Sequence, residues 1–490
     1  MTFNVHFQTR QFGWQGERIH GLPAGWQVER LSWRQPGGPH QAELSLSGVP
    51  PETANNLADL LRRPVTVYDE HGLPLWWGFV QSAALSGPQP WRATLDELAN
   101  RLAVRFERDV PGREWQPEPG QTAWAEDAFS QAEWGLRSRR VQTGRASDAQ
   151  AAALCAALLE QYRLPAEGPY ASAHSGGEPR LALECRGWWQ TLEWNYYSQA
   201  QGQCGHVLAG DALQALGNAS ASARLAQSFS VSGGAWPADE VWLRCCQWHA
   251  PGDNLRVELR NNVGTAPGAQ VYASGERPAA QLPGGPRWVR FALTPACTLQ
   301  PGVTYWLVVQ RSGAVSSAAC YKVQVDEGLG YAAGVLRLGG SSWTARNPDA
   351  DLNFRICGSR PSGEQLVEML SDAGGAQFLR GVYLAGSGGL PAPLYRNGGQ
   401  TCAAEAAALL RAGWSDGRRL LASVTPERVA WIEPAERPEE ARLWLLPDGR
   451  IAGAQLYAAP AGRWARPTGG GPPHFLDAVE YRPASGLRAV

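Results

Sequence analysis

The sequence predicts a mainly β protein with minor α content: barrel-like β domains toward either end of the chain, and an antiparallel jelly-roll β-sandwich inserted between them. Three observations lead there. Gly (56 residues) and Pro (36) punctuate the 490-residue chain densely enough for many tight turns and short strands. Alternating or wholly apolar runs recur between those turns, above all from about residue 224 to 358. The helix-like stretches are brief. Hydrophobic residues make up 44% of the chain and charged residues 18%, a globular rather than disordered balance, and the length suits three or four domains.

Taken in order, residues 1–109 read as a β-barrel domain. Trp26–Glu29 begins an alternation that shifts phase before Leu31, as a bulged strand would. Ala42–Leu46 alternates cleanly, and Pro51–Arg63 reads as a short helix with Leu57, Leu60 and Leu61 on one side. Val65–Tyr68 and Leu75–Val80 form a hairpin about an Asp-Glu-His-Gly turn. Leu95, Leu98 and Leu102 are spaced to line one side of a helix or long turn. Residues 110–217 read as an α+β domain, loop-rich to about residue 146. Ser147 then caps a helix to Tyr162, whose buried face is expected to be Ala151, Leu154, Leu158 and Tyr162.

Residues 218–360 carry the sandwich. Its expected strands are Leu225–Val231, Val241–Gln247, Leu255–Leu259, Trp288–Leu293, Thr304–Val309, Val335–Leu338 and Leu352–Ile356. Thr304–Val309 is apolar on both faces and so central. Val289, Phe291 and Leu293 face inward. Residues 361–460 return to α+β or barrel character. Ser362 and Gln365 suggest a capping box on a helix burying Leu366, Met369 and Leu370; Thr401 caps another that stops at Gly413. Hairpins follow at Arg419–Val424 with Arg428–Glu433, and about Pro447-Asp448-Gly449. Residues 461–490, with Gly469-Gly470-Gly471-Pro472-Pro473, read as a linker or arm.

Several stretches resemble one family. V-x-V-Y-D-x-x-G-x-x-x-W-x-G-F-V (Val65–Val80), T-L-D-x-L-x-N-R-L-A-V (Thr94–Val104), G-W-W-x-T-L-x-W-x-Y-Y (Gly187–Tyr197) and L-L-x-x-G-x-x-x-x-R-R-L-L-A-x-V-x-x-x-R (Leu409–Arg428) resemble the hub proteins of bacteriophage tail tips, whose relatives occur in contractile injection machines. L-x-P-G-x-x-Y-W-L-V (Leu299–Val308) and D-L-N-F-R-x-x-G (Asp351–Gly358) resemble jelly-roll modules of secreted and phage-tail proteins, related in shape to carbohydrate-binding domains. The resemblance implies a homotrimeric ring of paired barrel domains that joins the tail tube, or a distal tail protein, to other tail-tip proteins. It also implies residence in the virion tail after assembly in the host cytoplasm. The related distal tail protein would be a hexamer.

Chemistry is sparse. Eight scattered His residues form no ligand spacing, and there is no G-x-S-x-G elbow or phosphate loop after a strand. No catalytic residue, cofactor or metal is nominated, and a non-enzymatic protein is expected. Nine Cys without a C-x-x-C pair read as small buried hydrophobes, with one local disulfide conceivable between residues 245 and 357. Asp349 and Asp351, near Asn347 and Asn353, offer hard oxygen ligands of the kind Ca²⁺ takes. The Gly and closing Glu of an EF-hand are missing there, so turn chemistry is favoured. Among 22 Trp, Trp288 and Trp306 sit within strands and read as core. Trp236, Trp248 and Trp343 lie nearer turns and are the candidate contacts for a host-surface glycan.

A net charge of −1, no basic run and a single lysine, Lys322, argue against nucleic-acid sequence recognition or an anionic membrane as the main partner. Residues 1–5 carry no charged-then-apolar leader, and no apolar run approaches spanning length, so synthesis in a cytosol without a membrane span is expected. A carbohydrate-binding adhesion protein is the alternative to the tail-tip reading. It accounts for the Trp content but not for the segments on either side of the sandwich.

Overall fold

The computed structural model describes residues 2–10, 25–109, 117–171, 178–199, 201–207, 212–327, 331–332, 334–346, 350–372, 374–386, 388–453 and 461–490. The chain forms a mainly β structure in two compact units. The first gathers residues 1–197, 362–390 and 400–490; the second comprises 198–361 and 391–399.

A ten-stranded sheet organises the first unit. Its main path runs Asn4–Phe7, Pro64–Tyr68, Pro74–Ser86, Arg180–Arg186, Gly38–Ser47, Gln27–Arg34, Ala478–Arg482, Gly486–Ala489. The expected hairpin is present, with Val65 opposite Gly78 and Val67 opposite Trp76. Its turn is tied by Asp69 Oδ1, which accepts from the amides of His71 (2.9 Å) and Leu73 (2.8 Å). Gly78 is needed for close approach: a Cβ there would stand 2.0 Å from the Arg186 carbonyl oxygen. The segment expected as a C-terminal arm instead supplies the last two strands of this sheet, with Leu31 opposite Tyr481 and Trp33 opposite Val479. Alternation of Val479 and Tyr481 over a buried strand decides this, despite the glycines just before it.

Further expectations in the first unit are corrected. Leu95 and Leu98 occupy a turn, and Leu102 lies in the strand Arg101–Arg108; all three are buried, but no helix carries them. Asn100 holds that turn: its Oδ1 accepts from Arg137 N (2.8 Å) and its Nδ2 donates to Gly135 O (2.8 Å). The helix Asp148–Tyr162 begins at the Ser147 capping box, as expected. It buries Ala151 and Cys155 against Leu102, Val104 and Phe106, while Leu154 is exposed. The small Ala and Cys side chains let the helix lie close to the strand, which turns the larger leucine outward. The stretch expected to be loop-rich with short strands holds a strand, Ser138–Arg145, running parallel to Arg101–Arg108, and also a helix that was not expected, Ala128–Trp134, capped by Asp127.

Beyond the sandwich, the helix Ser362–Leu370 buries Leu366, Met369 and Leu370. Ser362 is already inside the helix and its hydroxyl finds no hydrogen-bond partner among the described residues, so it does not cap. The helix Cys402–Ala412 is capped by Thr401 and ends at Gly413, at φ 83°. The strands Gly381–Leu384, Val429–Pro434 and Leu420–Val424 form a three-stranded sheet. Its edge reaches the first domain of the sequence: Gly37 N donates to Ala422 O (2.7 Å) and Trp77 Nε1 to Val424 O (2.7 Å).

The second unit is an antiparallel β-sandwich. One sheet runs Ala266–Pro278, Asn254–Val263, Tyr305–Arg311, Arg224–Phe229, Leu336–Gly339. The other is built on Trp236–Trp248, which pairs Arg287–Leu299 on one edge and Phe354–Cys357 then Cys320–Asp326 on the other. The chain crosses between the sheets repeatedly, apart from the hairpin of Asn254–Val263 with Ala266–Pro278 and that of Leu336–Gly339 with Trp343–Ala345. Tyr305–Arg311 is central, as its two apolar faces require. The longest strands to escape the sequence reading are Ala266–Pro278 and Cys320–Asp326; shorter ones such as Gln203–His206, Ala212–Leu216 and Trp343–Ala345 escaped it too. The core packs Leu225, Phe229, Val241, Leu243, Phe291 and Phe354 between the sheets, while Val289 is only partly buried. All nine cysteines are free thiols, seven of them buried. No helix among the described residues is long and apolar enough to cross a membrane.

Candidate functional site

The three candidate tryptophans do not form one site. Trp236 is 1% exposed and belongs to the sandwich core. It opens a long strand on its inward phase, so nearness to a turn does not bring exposure. Trp343 is half-buried on the outer face of one sheet. It lies over Gly339, packs on Ala226, Trp306 and Val308, and carries the Arg224 guanidinium 4.8 Å from its ring. Trp248 ends a strand of the other sheet and is 43% exposed, with Lys322 Nζ 3.2 Å above its ring. Trp306 is buried as expected, but in a small cluster outside the main core, and Trp288 is half-buried rather than core.

Of the residues considered for Ca²⁺, Asn347 and Asp349 lie outside the described residues. Asp351 is buried. Its Oδ1 accepts from Gln227 Nε2 (2.8 Å) and its Oδ2 from Tyr331 N (2.5 Å), so both oxygens already hold the fold together. Opposite it on the next strand, Asp326 pairs with His206 Nε2 at 2.9 Å, also buried. Among the described residues no three His, Cys, Asp or Glu side chains gather as metal ligands would.

A cleft of about 450 Å³ in the first unit is lined by Gln81, Asp96, Arg137, Arg186, Glu193 and Trp194, among others. Burial would raise the Asp96 carboxyl, but hydrogen bonds from Gln81 (2.8 Å) and Thr94 (2.7 Å), with Arg92, outweigh it and hold the group below its usual range. A carboxylate held ionised and already supplied with donors is ill suited to give up a proton at neutral pH.

Beside this cleft the four hub-like stretches converge. Phe79, from the first, packs on Trp188 (5.2 Å between centroids) and Trp194 (5.4 Å), from the third. Phe378 closes the cluster against both indoles, at 5.8 and 5.3 Å. Three buried guanidiniums stack on these rings: Arg137 over Trp194 (3.6 Å), Arg428 over Trp188 (4.1 Å) and Arg62 over Phe378 (5.6 Å). Arg428 ends the fourth stretch, and Arg137 Nη1 donates to Leu95 O of the second. Burial draws Arg62 and Arg428 down to about 10 and Arg137 to about 9, so all three stay charged at neutral pH. Ring faces help charge sit here, together with Glu133 near Arg62 and Asp96 near Arg137. Sequence reasoning found the aromatic stretch but not these arginines or Phe378, because nothing local marks an arginine as buried.

No family model matches the chain, and no curated protein matches it. Among solved structures, it is similar to a glycoside hydrolase family 43 arabinoxylan arabinofuranohydrolase from Bacillus subtilis in complex with cellotetraose, at 9% identity and a TM-score of 0.16. The match covers 62% of this chain and 65% of that one, so the chain spans just under two thirds of that structure's length, and a likeness this slight bears on neither fold nor activity.

Proposed function

We propose that this chain is a structural component of a phage tail tip: a hub ring joining the tail tube to the tip complex, with the sandwich as a peripheral module for decoration or weak binding of host-surface glycan. One observation supports the reading above the others. The four stretches that resemble hub proteins are far apart in sequence, yet they meet in one packed cluster, through Phe79, Leu95, Trp188, Trp194 and Arg428. Chance likeness in four soft motifs gives no reason for them to share a core. In this role the work is done by interface area and ring closure rather than by a catalytic pocket.

Light scattering with negative-stain imaging of the purified chain tests this. A trimeric ring with three peripheral lobes is the expected result. A hexameric ring points to a distal tail protein instead. A monomer that stays monomeric with tail-tube protein added, and binds glycan, favours the adhesion reading.

A further inference from the structure

The outer face of the sheet built on Trp236–Trp248 gathers indoles and cations that the sequence scatters. Along that strand the outward positions are Trp242, Arg244, Cys246 and Trp248, since Val241, Leu243 and Cys245 face the core. The neighbouring strands complete the pattern: Trp288 stands opposite Arg244, Arg290 and Arg355 flank Trp242, and Lys322 stands opposite Cys246. Arg290 is paired with Glu240. Arg244, Arg287 and Lys322 have no carboxylate partner among the described residues. At the edge of the face a shallow groove of about 480 Å³ is lined by Arg277, Arg287, Trp288 and Arg290, with no acidic residue among its lining. Trp242 and Trp248 thus mark the ends of a track of about 20 Å, with Arg244 and Lys322 between them and Trp288 beside Arg244.

We infer that this face binds a uronate-bearing polysaccharide, its sugar rings lying on the indoles and its carboxylates on the guanidiniums and Lys322. A polyuronate carries a flat ring and a negative charge in each unit, which is what a face of indoles and cations matches. Guanidinium forks suit carboxylates. A neutral glycan would leave Arg244 and Arg287 unused. A polyol phosphate offers no ring for Trp242, Trp248 or Trp288. Single-stranded nucleic acid also alternates rings and charges, but the chain's net charge of −1 gives no broad field to hold so dense a polyanion. The inference goes beyond the assembly role and stands on the sandwich alone, so rings that ignore the polymer would refute it and leave the hub reading intact.

The test is native affinity electrophoresis of the full chain in gels containing polygalacturonate or alginate, with fully methyl-esterified polygalacturonate and oligo-dT as comparisons. The acid polymers should retard the chain and the ester should not. Trp248→Ala and Lys322→Gln, at accessible positions, should each weaken binding by about fivefold to tenfold, the scale of one stacking or charge contact. Arg244→Gln should do the same, and Arg450→Gln in the other unit should change nothing. Thermal unfolding checks that each variant is folded. No retardation by either acid polymer, equal binding of the ester, tighter binding of oligo-dT, or unchanged binding by a folded Trp248→Ala/Lys322→Gln double variant would each overturn the inference.

Discussion

Phe378→Ala tests whether the interrupted first unit is one cooperative body. Phe378 is 1% exposed, and it comes from the far side of the sandwich in sequence. Its ring meets Trp188 and Trp194, with the Arg62 guanidinium above it, so it ties residues 362–390 to residues 1–197 within one core. Truncating a buried Phe costs about 3–5 kcal/mol, and losing the stacked guanidinium adds about 1 kcal/mol. Against a domain stability of about 5–15 kcal/mol, the first unit should lose roughly a third or more. The sandwich has its own core, so urea unfolding followed by near-UV circular dichroism should show two transitions. Phe378→Ala should lower the midpoint of one by about 1 M or more, taking a slope near 3 kcal/mol/M, and leave the other in place. Phe291→Ala, in the sandwich core, should do the reverse. A loss below about 1 kcal/mol, or equal shifts in both transitions, would mean that the two units share one core and that the division drawn above is wrong.

Glu258 is a buried carboxylate on the sandwich's outer face, held by Arg256 at 2.9 Å, by Arg260, and by Gln310 Nε2 at 3.1 Å. Glu258→Ala should cost about 3–5 kcal/mol by stranding Arg260, whereas loss of the more exposed Arg256 should cost about 1 kcal/mol or less; thermal melts of both variants check the contrast. Arg137→Lys keeps the charge but loses the planar stack on Trp194, so it should destabilise by about 2 kcal/mol, more than Arg137→Met, which removes the buried charge. If chemical denaturation shows Lys tolerated better than Met, charge rather than stacking holds this position. His40 is drawn down to about 4 by burial and then by Arg186, Arg34 and Arg30, and the Gln190 amide nitrogen sits 2.5 Å from its Nδ1. The folded state therefore resists a proton that the unfolded chain accepts near 6.5. The stability is whole above that pH and declines as pH falls toward 4, by about 1–2 kcal/mol once partial exposure is allowed for. His40→Gln should flatten the melting temperature between pH 7 and 4 relative to the parent, and an unchanged slope would reject the assignment.

What the sequence made legible is what local periodicity encodes. Leu255–Leu259 and Thr304–Val309 were readable as strands because alternation and a two-sided apolar run each have one sheet environment that satisfies them. Thr401 and Ser147 were readable as caps because their hydroxyls serve amides three residues away. The failures came where periodicity was ambiguous. Leu95, Leu98 and Leu102 keep helical spacing, but Asn100 pins the backbone between them into a turn by bonding to Gly135 and Arg137, and nothing within those residues announces partners 35 and 37 positions away. Leu154 lost its place to Cys155 because the helix packs close to its strand.

The candidate site failed for a related reason. Nearness to a turn was taken as exposure for Trp236, Trp248 and Trp343; Trp248 is exposed, but Trp236 is buried and Trp343 half-buried, because phase along the strand decides which way an indole points, and phase is fixed by the partner strands. The same dependence explains why the arginines were opaque. With almost every cation an arginine, the sequence offers no contrast between one that is solvated, one that is paired and one that lies on a ring. In the first unit, guanidiniums from positions 62, 137 and 428 enter the core because rings from positions 79, 188, 194 and 378 meet there to receive them. On the sandwich, the same sheet geometry lines Arg244 and Lys322 up with indoles, and neither has a carboxylate partner among the described residues. One chemistry, cation against ring, thus serves the core when the rings are covered and lies on the surface when they are not; the tertiary register, which no single stretch contains, decides between them.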